Sequence, residues 1–487
     1  MLKCKVNFLV FLLVLPSCRI FAQLSDNHAH KIYVGWSSKS ITPDQPVALA
    51  GQFETRISTE VKDPITCTAL AIETRNGDSS METAILVSVD VVGITDGLLD
   101  NVRSLVGKRL PNVDVNKIVL NATHTHTGPV LYNDPDWPYD IPKDALQPEQ
   151  YVAFASMQIA DAVVEAWNQR QPAGMSWGLG QAVVGHNRRA VYFDPVPSGF
   201  GLGTSVMYGT TDRADFSNFE GYEDHGLEML FFWNEKNKLT GILLNMACPS
   251  QETEGISQLS ADFWHEVRTY IHEKYGKEVF ILPQVAAAGD LSPHLMWRKK
   301  AEAEMLTRKG ITSREEIARR IVNAIDEVYP YVQGDDIKKE MVFRHIYNDI
   351  DLPIRRVTKA EASHAEELAK EQPTRAFYHN ALLNRYNHQN EHPLIQIKVN
   401  VIRMGDVVIA TNPFELFLDY GMRIKTRSNA ILTFIVQLAN GTVGYVPTAK
   451  AEAGGGYSAI VQSSSVGSEG GQEYVEKTLA IINKVME

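Results

Sequence analysis

Apolar runs of strand length alternate with helically spaced apolar positions along nearly the whole chain. Ala84 to Ile94 reads as a mostly buried strand, rich in β-branched residues and bounded by polar ones. Lys117 to Ala122 is a second strand, and Leu98 to Leu110 between them has helical spacing. A helix is predicted over Pro148 to Gln169, with proline at its start and Val152, Ala155, Ile159, Val163 and Ala166 along one face. Thr240 to Met246 and Val279 to Val285 read as strands on either side of a helix over Ala261 to Tyr275. Ile397 to Ile402 and Asp406 to Thr411 read as neighbouring strands around the turn Met404-Gly405. Ser313 to Val328 and Lys359 to Lys370 are charged amphipathic helices whose polar faces are expected to be solvated. The alternation predicts an α/β or α+β fold: a layered sandwich of mixed β-sheets flanked by helices, forming one large domain.

Three stretches interrupt this pattern. Pro129 to Gln147 carries Tyr132, Trp137 and Tyr139, Phe193 to Tyr222 is rich in glycine and aromatics, and Gly454-Gly-Gly-Tyr-Ser458 lies near the C-terminus. Their aromatic content predicts loops that form pocket walls or a lid.

The first residues read as an address. Lys3 and Lys5 precede an apolar stretch from Val6 to Leu15, and Ile20-Phe21-Ala22 supplies a small residue at a cleavage point. This predicts a signal peptide over 1–22, cut after Ala22, and a domain over 23–487 exported to the periplasm or the medium. Leu15-Pro16-Ser17-Cys18 resembles a lipoprotein box, which offers lipidation at Cys18 as the alternative. Only Cys67 and Cys248 then remain, which is no disulfide framework; pairing, burial as small apolar groups, or metal ligation stay open for them.

Composition changes the picture little. Of 487 residues, 44% are hydrophobic and 22% charged, which excludes a disordered chain. The net charge of −11 argues against a nucleic-acid partner, and no apolar run reaches the roughly 18 residues of a membrane span.

The candidate chemistry lies where strands end. Asn121-Ala-Thr-His-Thr-His-Thr-Gly-Pro129 follows a buried strand, and residues two apart in an extended chain face the same way. His124 and His126 are thus expected to present two imidazoles together, as a zinc site or as a structural pair. Gly289-Asp-Leu-Ser-Pro293 brings Asp290 and Ser292 to the exit of a strand, and Asn412-Pro-Phe-Glu415 aims Glu415 off another. Asn440-Gly-Thr-Val-Gly-Tyr445 places Tyr445 beyond a turn, and His186-Asn-Arg188 adds a fixed positive charge. Each has a structural alternative, such as a helix cap for Asp290 or Ser292 or an ion pair for Arg188.

Taken together, these segments resemble the neutral (non-lysosomal) ceramidases, zinc amidases that cleave a fatty acid from a sphingoid base. Thr123-His-Thr-His-Thr-Gly-Pro129 is similar to that family's Thr-His-Thr-His-Ser-Gly-Pro, and Gly289-Asp-Leu-Ser-Pro293 to its Gly-Asp-Val-Ser-Pro. His186-Asn-Arg188 resembles its Asn-Arg-Ser, Pro413-Phe-Glu415 its Pro-Gly-Glu, and Tyr445 with Tyr457 its paired tyrosines. The resemblance spans about Tyr33 to Ser465.

Carried over by residue, the resemblance implies that His124, Glu415 and Tyr445 bind zinc (Zn2+). His126, Arg188 and Tyr457 would hold the substrate carbonyl and its polar neighbours. Ser292 occupies the family's essential serine, and Asp290 joins the catalytic set. Metal-activated water is the implied nucleophile, with Ser292 as the covalent alternative. The chain departs from the pattern at the second zinc histidine, where it has Ala247-Cys-Pro-Ser250. Cys248 is the expected replacement ligand, with His225 as another possibility. The chain also ends soon after the tyrosine motif, short of the family's C-terminal β-sandwich domain. The resemblance therefore implies an amidohydrolase acting on a ceramide-like lipid amide. A sister hydrolase of a soluble ester or acylated carbohydrate, and a non-catalytic binding protein, are the two alternatives.

Overall fold

The computed structural model describes residues 28–132 and 139–487. The predicted signal peptide, Cys18 and Trp137 lie outside the described residues.

The larger sheet is built from β1 (His30–Ser40), β2 (Thr66–Asn76), β3 (Ser79–Val89), β4 (Ile118–Ala122), β5 (Gln171–Gln181), β6 (Gly226–Asn234), β7 (Leu239–Met246) and β8 (Phe280–Val285). Across the sheet the order is β8-β7-β6-β5-β1-β2-β3-β4. Most neighbours are antiparallel, but β3–β4 and β7–β8 are parallel. A second sheet holds β9 (Phe343–Pro353), β10 (Leu394–Met404), β11 (Val407–Thr411) and β12 (Leu432–Val436) in that order, with β11–β12 parallel.

The period-two alternation of the strands sorts their side chains into separate cores. From β3, Ala84 and Leu86 face the second sheet, where they meet Ile402, Val407, Ile409 and Phe434. From the same strand, Ile85, Val87 and Val89 face α1 (Asp96–Arg109) and α2 (Pro148–Asn168). The β6–β8 half of the sheet packs instead on α3 (Trp264–Tyr275) and α5 (Ser313–Val328), with β8 and then α4 (Lys299–Lys309) lying between the two helices in the chain. The outer face of the second sheet, with Val408 and Ala410, packs on Tyr474, Val475, Leu479 and Ile482 of α6 (Gly467–Met486). The result is helices, sheet, sheet and helices in four layers, the predicted sandwich of mixed sheets.

Two sequence expectations are corrected and one open alternative is closed. The Gly- and aromatic-rich stretch 193–222 is not a loop: Arg189–Ser198, Gly201–Met207 and Phe216–Phe219 form a three-stranded antiparallel sheet. The polar face of α5 is not wholly solvated, since Arg314 is buried and donates to Asp63 at 2.9 Å and to Glu266 at 2.9 Å. Buried positive charge survives there because two carboxylates and the Asp262 carbonyl surround it. Cys67 and Cys248 are both free and lie in different cores, so they do not pair.

The parallel pairs decide where chemistry can sit, because their C-terminal ends leave the sheets on one side. Backbone bonds stitch those ends together. Asn440 N donates to Leu120 O, Ala122 N to Leu438 O, Gln437 N to Val285 O, Ala286 N to Met246 O, and Ser250 N to Thr123 O. The exits of β4, β7, β8 and β12 are thereby locked into one platform.

Helix α2 lies close on β1 at Gly35, where an added Cβ would sit 2.0 Å from the Ala166 carbonyl oxygen. Gly35→Ala is expected to destabilise the fold by about 1–3 kcal/mol through overpacking. Chemical denaturation measures this, and an unchanged midpoint would contradict the packing.

Candidate active site

The chain turns sharply after β4. His124 adopts φ +65°, an uncommon conformation for a residue with a side chain, so the two histidines are not on one extended strand as the spacing predicts. They meet all the same: their Nε2 atoms are 3.2 Å apart and the rings are inclined at 76°. The turn places His124 Nδ1 2.6 Å from the Val92 carbonyl, an acceptor only, so Nδ1 carries the hydrogen and Nε2 a lone pair. Burial, then the neighbouring His126, depresses the His124 pKa to about 3, so the imidazole is neutral.

His126 is held from several sides. Its Nδ1 is 3.0 Å from Glu254 Oε2, and its backbone carbonyl accepts from Arg56 Nη2 at 2.6 Å. Gly51 lies against the ring at φ +91°; a Cβ there would be 2.4 Å from His126 Cγ. His126 Nε2 faces the Gln251 amide nitrogen at 2.6 Å. The Gln251 orientation follows from its other end, where Oε1 accepts from Arg188 Nη1 at 3.1 Å.

Arg188 is the hub. Its guanidinium is buried and donates to Tyr208 OH at 3.0 Å, Gln251 Oε1, Gly289 O at 3.0 Å and Tyr445 OH at 3.4 Å. Burial opposes its charge, but Tyr208, Tyr445 and Glu415 outweigh that and hold its pKa above the ordinary value. Glu415 and Tyr445 are direct partners in a short parallel pair, Phe414–Leu416 with Gly444–Val446. Glu415 Oε2 is 3.6 Å from His124 Nε2. Burial raises the Glu415 pKa, against the pull of Tyr445, Arg188 and His126, and burial also raises the Tyr445 phenol. His124, His126, Arg188, Glu415 and Tyr445, distant in sequence, are thus one cluster.

Tyr457 joins through its ring, 5.5 Å from that of Tyr445, and sits among Phe53, Phe200 and Tyr378. Ser292 is fully buried at the edge of the cluster, where Tyr208 OH donates to its Oγ at 3.2 Å. Its other partner is the backbone nitrogen of His294. Among the described residues neither imidazole nor carboxylate hydrogen-bonds Ser292, so a covalent route through it has no base in place.

Two expected site residues lie elsewhere. Asp290 Oδ1 accepts from Leu418 N at 2.8 Å, at the start of the helix Leu418–Arg427, and Oδ2 accepts from Asn187 at 3.0 Å. It ties the platform to a helix N-terminus and does not face the cluster. The Cys248 thiol points into the core of β6, β7 and α3, donating to Val184 O at 3.3 Å. Burial raises its pKa well above the usual thiol value, so it is neither near the cluster nor a thiolate. The side chain is too short and turned the wrong way to replace a histidine. His225 is paired with Glu223 outside the cluster.

The residues that the sequence patterns did not single out are Gln251, Tyr208 and Glu254. Gln251 follows Cys248-Pro-Ser by one position, and it is this side chain that enters the site from the segment with the missing histidine. Tyr208, at φ +55°, comes from the stretch expected to be a loop.

With this geometry the chain was compared with known proteins. No protein-family profile and no curated protein match it. It is similar to the crystal structure of neutral ceramidase from Pseudomonas aeruginosa, with a TM-score of 0.68 at 18% identity over 93% of this chain and 75% of that one. A ceramidase structure complexed with C2 gives a TM-score of 0.67 at 16% identity, with the same coverages. The chain has the neutral ceramidase fold. Within this ceramidase fold, the motifs that resemble the family's are the ones brought together.

A metal can be tested against the residues present. Among the described residues no group of three His, Cys, Asp or Glu side chains is arranged to hold an ion. The cluster offers two such side chains and a phenol: the lone pair of His124, the carboxylate of Glu415 and Tyr445. Three protein donors with an open position suit a catalytic zinc. The Val92 carbonyl behind His124 Nδ1 is the orienting partner that such a ligand needs. The residues therefore fit a zinc held by three donors, without Cys248.

Two outcomes follow. Cys248→Ala should leave metal content unchanged and cost stability on the order of 1 kcal/mol; loss of metal on elemental analysis would return Cys248 to the site. Burial raises the Asp290 pKa from 3.8 to about 6, so the protonated form is favoured by folding. The native state then loses stability as pH rises through that window. Asp290→Asn removes this slope, so variant-minus-parent stability should rise by about 1–3 kcal/mol between pH 4 and pH 7. A flat difference in denaturation midpoints would contradict it.

Proposed function

We propose that this chain is an exported metal-dependent hydrolase of N-acyl amides, of the ceramidase type. The observation that carries the reading is the convergence of His124, Glu415, Tyr445, His126 and Arg188 on one buried point. The export half rests on Lys3, Lys5 and the apolar stretch after them. The ceramidase fold of the two similar structures supports the amide as substrate class.

His124, Glu415 and Tyr445 would hold the zinc, which when bound polarises a carbonyl and lowers the pKa of water. The chain's own residues do the rest. His126, held with Nδ1 3.0 Å from Glu254 Oε2 and Nε2 against the Gln251 amide, lines the point where the substrate carbonyl would sit. Arg188 keeps a permanent positive charge beside that point and stabilises the negative oxygen of the tetrahedral state. Gln251 fixes Arg188 relative to His126 by bonding to both. Tyr457, in its aromatic surroundings, closes one side of the site and excludes water from it.

The test is hydrolysis of fluorescent N-acyl sphingosines of several acyl lengths, beside an aryl ester, together with metal analysis. His124→Ala should remove bound zinc and lower kcat/KM by at least about 100-fold, or about 3 kcal/mol. Full activity in that variant, or a parent chain that binds no zinc and hydrolyses no amide, would overturn the reading. Ester turnover without amide turnover would instead favour a sister hydrolase of soluble esters.

A further inference from the structure

Arg188 and Arg189 are consecutive in the chain, yet their guanidiniums serve different partners. Arg188 reaches the Tyr445 hydroxyl, whereas Arg189 ends at the glycine-rich segment before Tyr457. The Arg189 side chain is completely buried. Its Nε donates to Glu220 Oε2 at 2.6 Å and its Nη2 to Glu220 Oε1 at 3.1 Å. Glu220 Oε1 also accepts from Ser205 Oγ at 2.6 Å.

The carboxylate balances the charge but does not use all the N–H groups of a guanidinium. The others go to one segment. Nη2 donates to Gly455 O at 2.6 Å and to Ala451 O at 3.4 Å, and Nη1 donates to Ser458 Oγ at 3.0 Å. That segment lies tightly on the three-stranded sheet. A Cβ at Gly454 would be 2.7 Å from Ser205 Oγ. One at Gly456, where φ is +82°, would be 2.5 Å from the Ser205 carbonyl oxygen.

Tyr457 stands between these anchored residues. Its ring is 5.5 Å from that of Tyr445 and 4.8 Å from that of Phe200. Beyond it the chain has its own tie, from Ser463 Oγ to the Tyr457 carbonyl, so Arg189 anchors the 451–458 side. One pair of arginines thereby holds both rings: Arg188 through the Tyr445 hydroxyl, Arg189 through Gly455 and Ser458 on either side of Tyr457. Moving the segment away from Arg189 would leave buried guanidinium donors unmet, a cost that opposes the shift.

We propose that Arg189 is a positioning residue of the active site that acts through Tyr457. With Glu220 it holds the 451–458 segment so that the Tyr457 ring stays against Tyr445. The catalytic half of this assignment rests on the amide-hydrolase reading; the anchoring half does not.

Hydrogen exchange and a double-mutant cycle on the full chain test it. Arg189→Lys keeps a charge for Glu220 but loses the fork that serves the segment. Ser458→Ala removes a single bond and keeps the test open if the lysine variant does not fold. Both should speed amide exchange over 451–460 at least about ten-fold while β11 stays slow. With a fluorescent N-acyl sphingosine, Arg189→Lys should lower kcat/KM at least about ten-fold when Tyr457 is present, and less than about two-fold in a Tyr457→Ala background. Unchanged exchange in both variants would overturn the anchor. Faster exchange with full turnover, or an equal loss of turnover in both backgrounds, would overturn the action through Tyr457. Exchange of the expected kind with no amide turnover by the parent chain would overturn the hydrolase reading and leave the anchor standing.

Discussion

A guanidinium that cannot lose its proton is buried at the centre of this protein, and the site is arranged around that fact. Leaving such a charge unpaired in the interior costs several kcal/mol. Arg188 avoids the cost only because a hydroxyl from 208, an amide oxygen from 251, a carbonyl from 289 and a phenol from 445 arrive together. Those segments belong to three different sheets. The charge and the stitched strand exits therefore depend on each other. The platform brings in the acceptors, and the unpaired charge penalises any arrangement in which one of them is absent.

The layers were legible because burial writes itself into periodicity. Residues Ala84 to Val89 alternate between two cores, and the β-branched run announced a strand buried on both faces. The proline-led helix over 148–168 and the capped helix over 313–328 followed from local signals that no distant contact had to override. The three-stranded sheet over 189–219 was hidden for a physical reason. Its glycines and prolines are turn signals, and its strands are half-exposed, so neither alternation nor continuous burial marks them.

The site was legible to the extent that its chemistry sits in contiguous motifs. His124, Arg188, Glu415 and Tyr445 stand next to turn residues at strand ends, where polar atoms are costly without a purpose. Cys248 shows the limit. Residue type made it a plausible ligand, but direction is decided by which face of the strand exit is apolar, and there the thiol finds Val184 and the β6–α3 core. Gln251 was illegible for the complementary reason. A glutamine in a polar segment carries no signal until Arg188 and His126, 63 and 125 residues away in sequence, are seen at either end of its amide.

The hydrogen positions of the cluster give a final argument about what it is built to hold. His124 Nδ1 faces a carbonyl, so this imidazole spends its hydrogen on the outer side, while His126 Nδ1 lies 3.0 Å from a Glu254 oxygen. The Gln251 amide then donates to His126 Nε2. The His124 lone pair is left facing His126 Nε2 at 3.2 Å, with the Glu415 carboxylate 3.6 Å from it. Acceptors do not collect in a buried place without a positive partner. Arg188 supplies part of that partner, but its donors are directed to Tyr208, Gln251, Gly289 and Tyr445, not to the imidazoles. The remaining demand is for a cation or a proton between His124 and Glu415. Burial pushes the Glu415 pKa the same way, toward the protonated form, against the pull of Tyr445, Arg188 and His126.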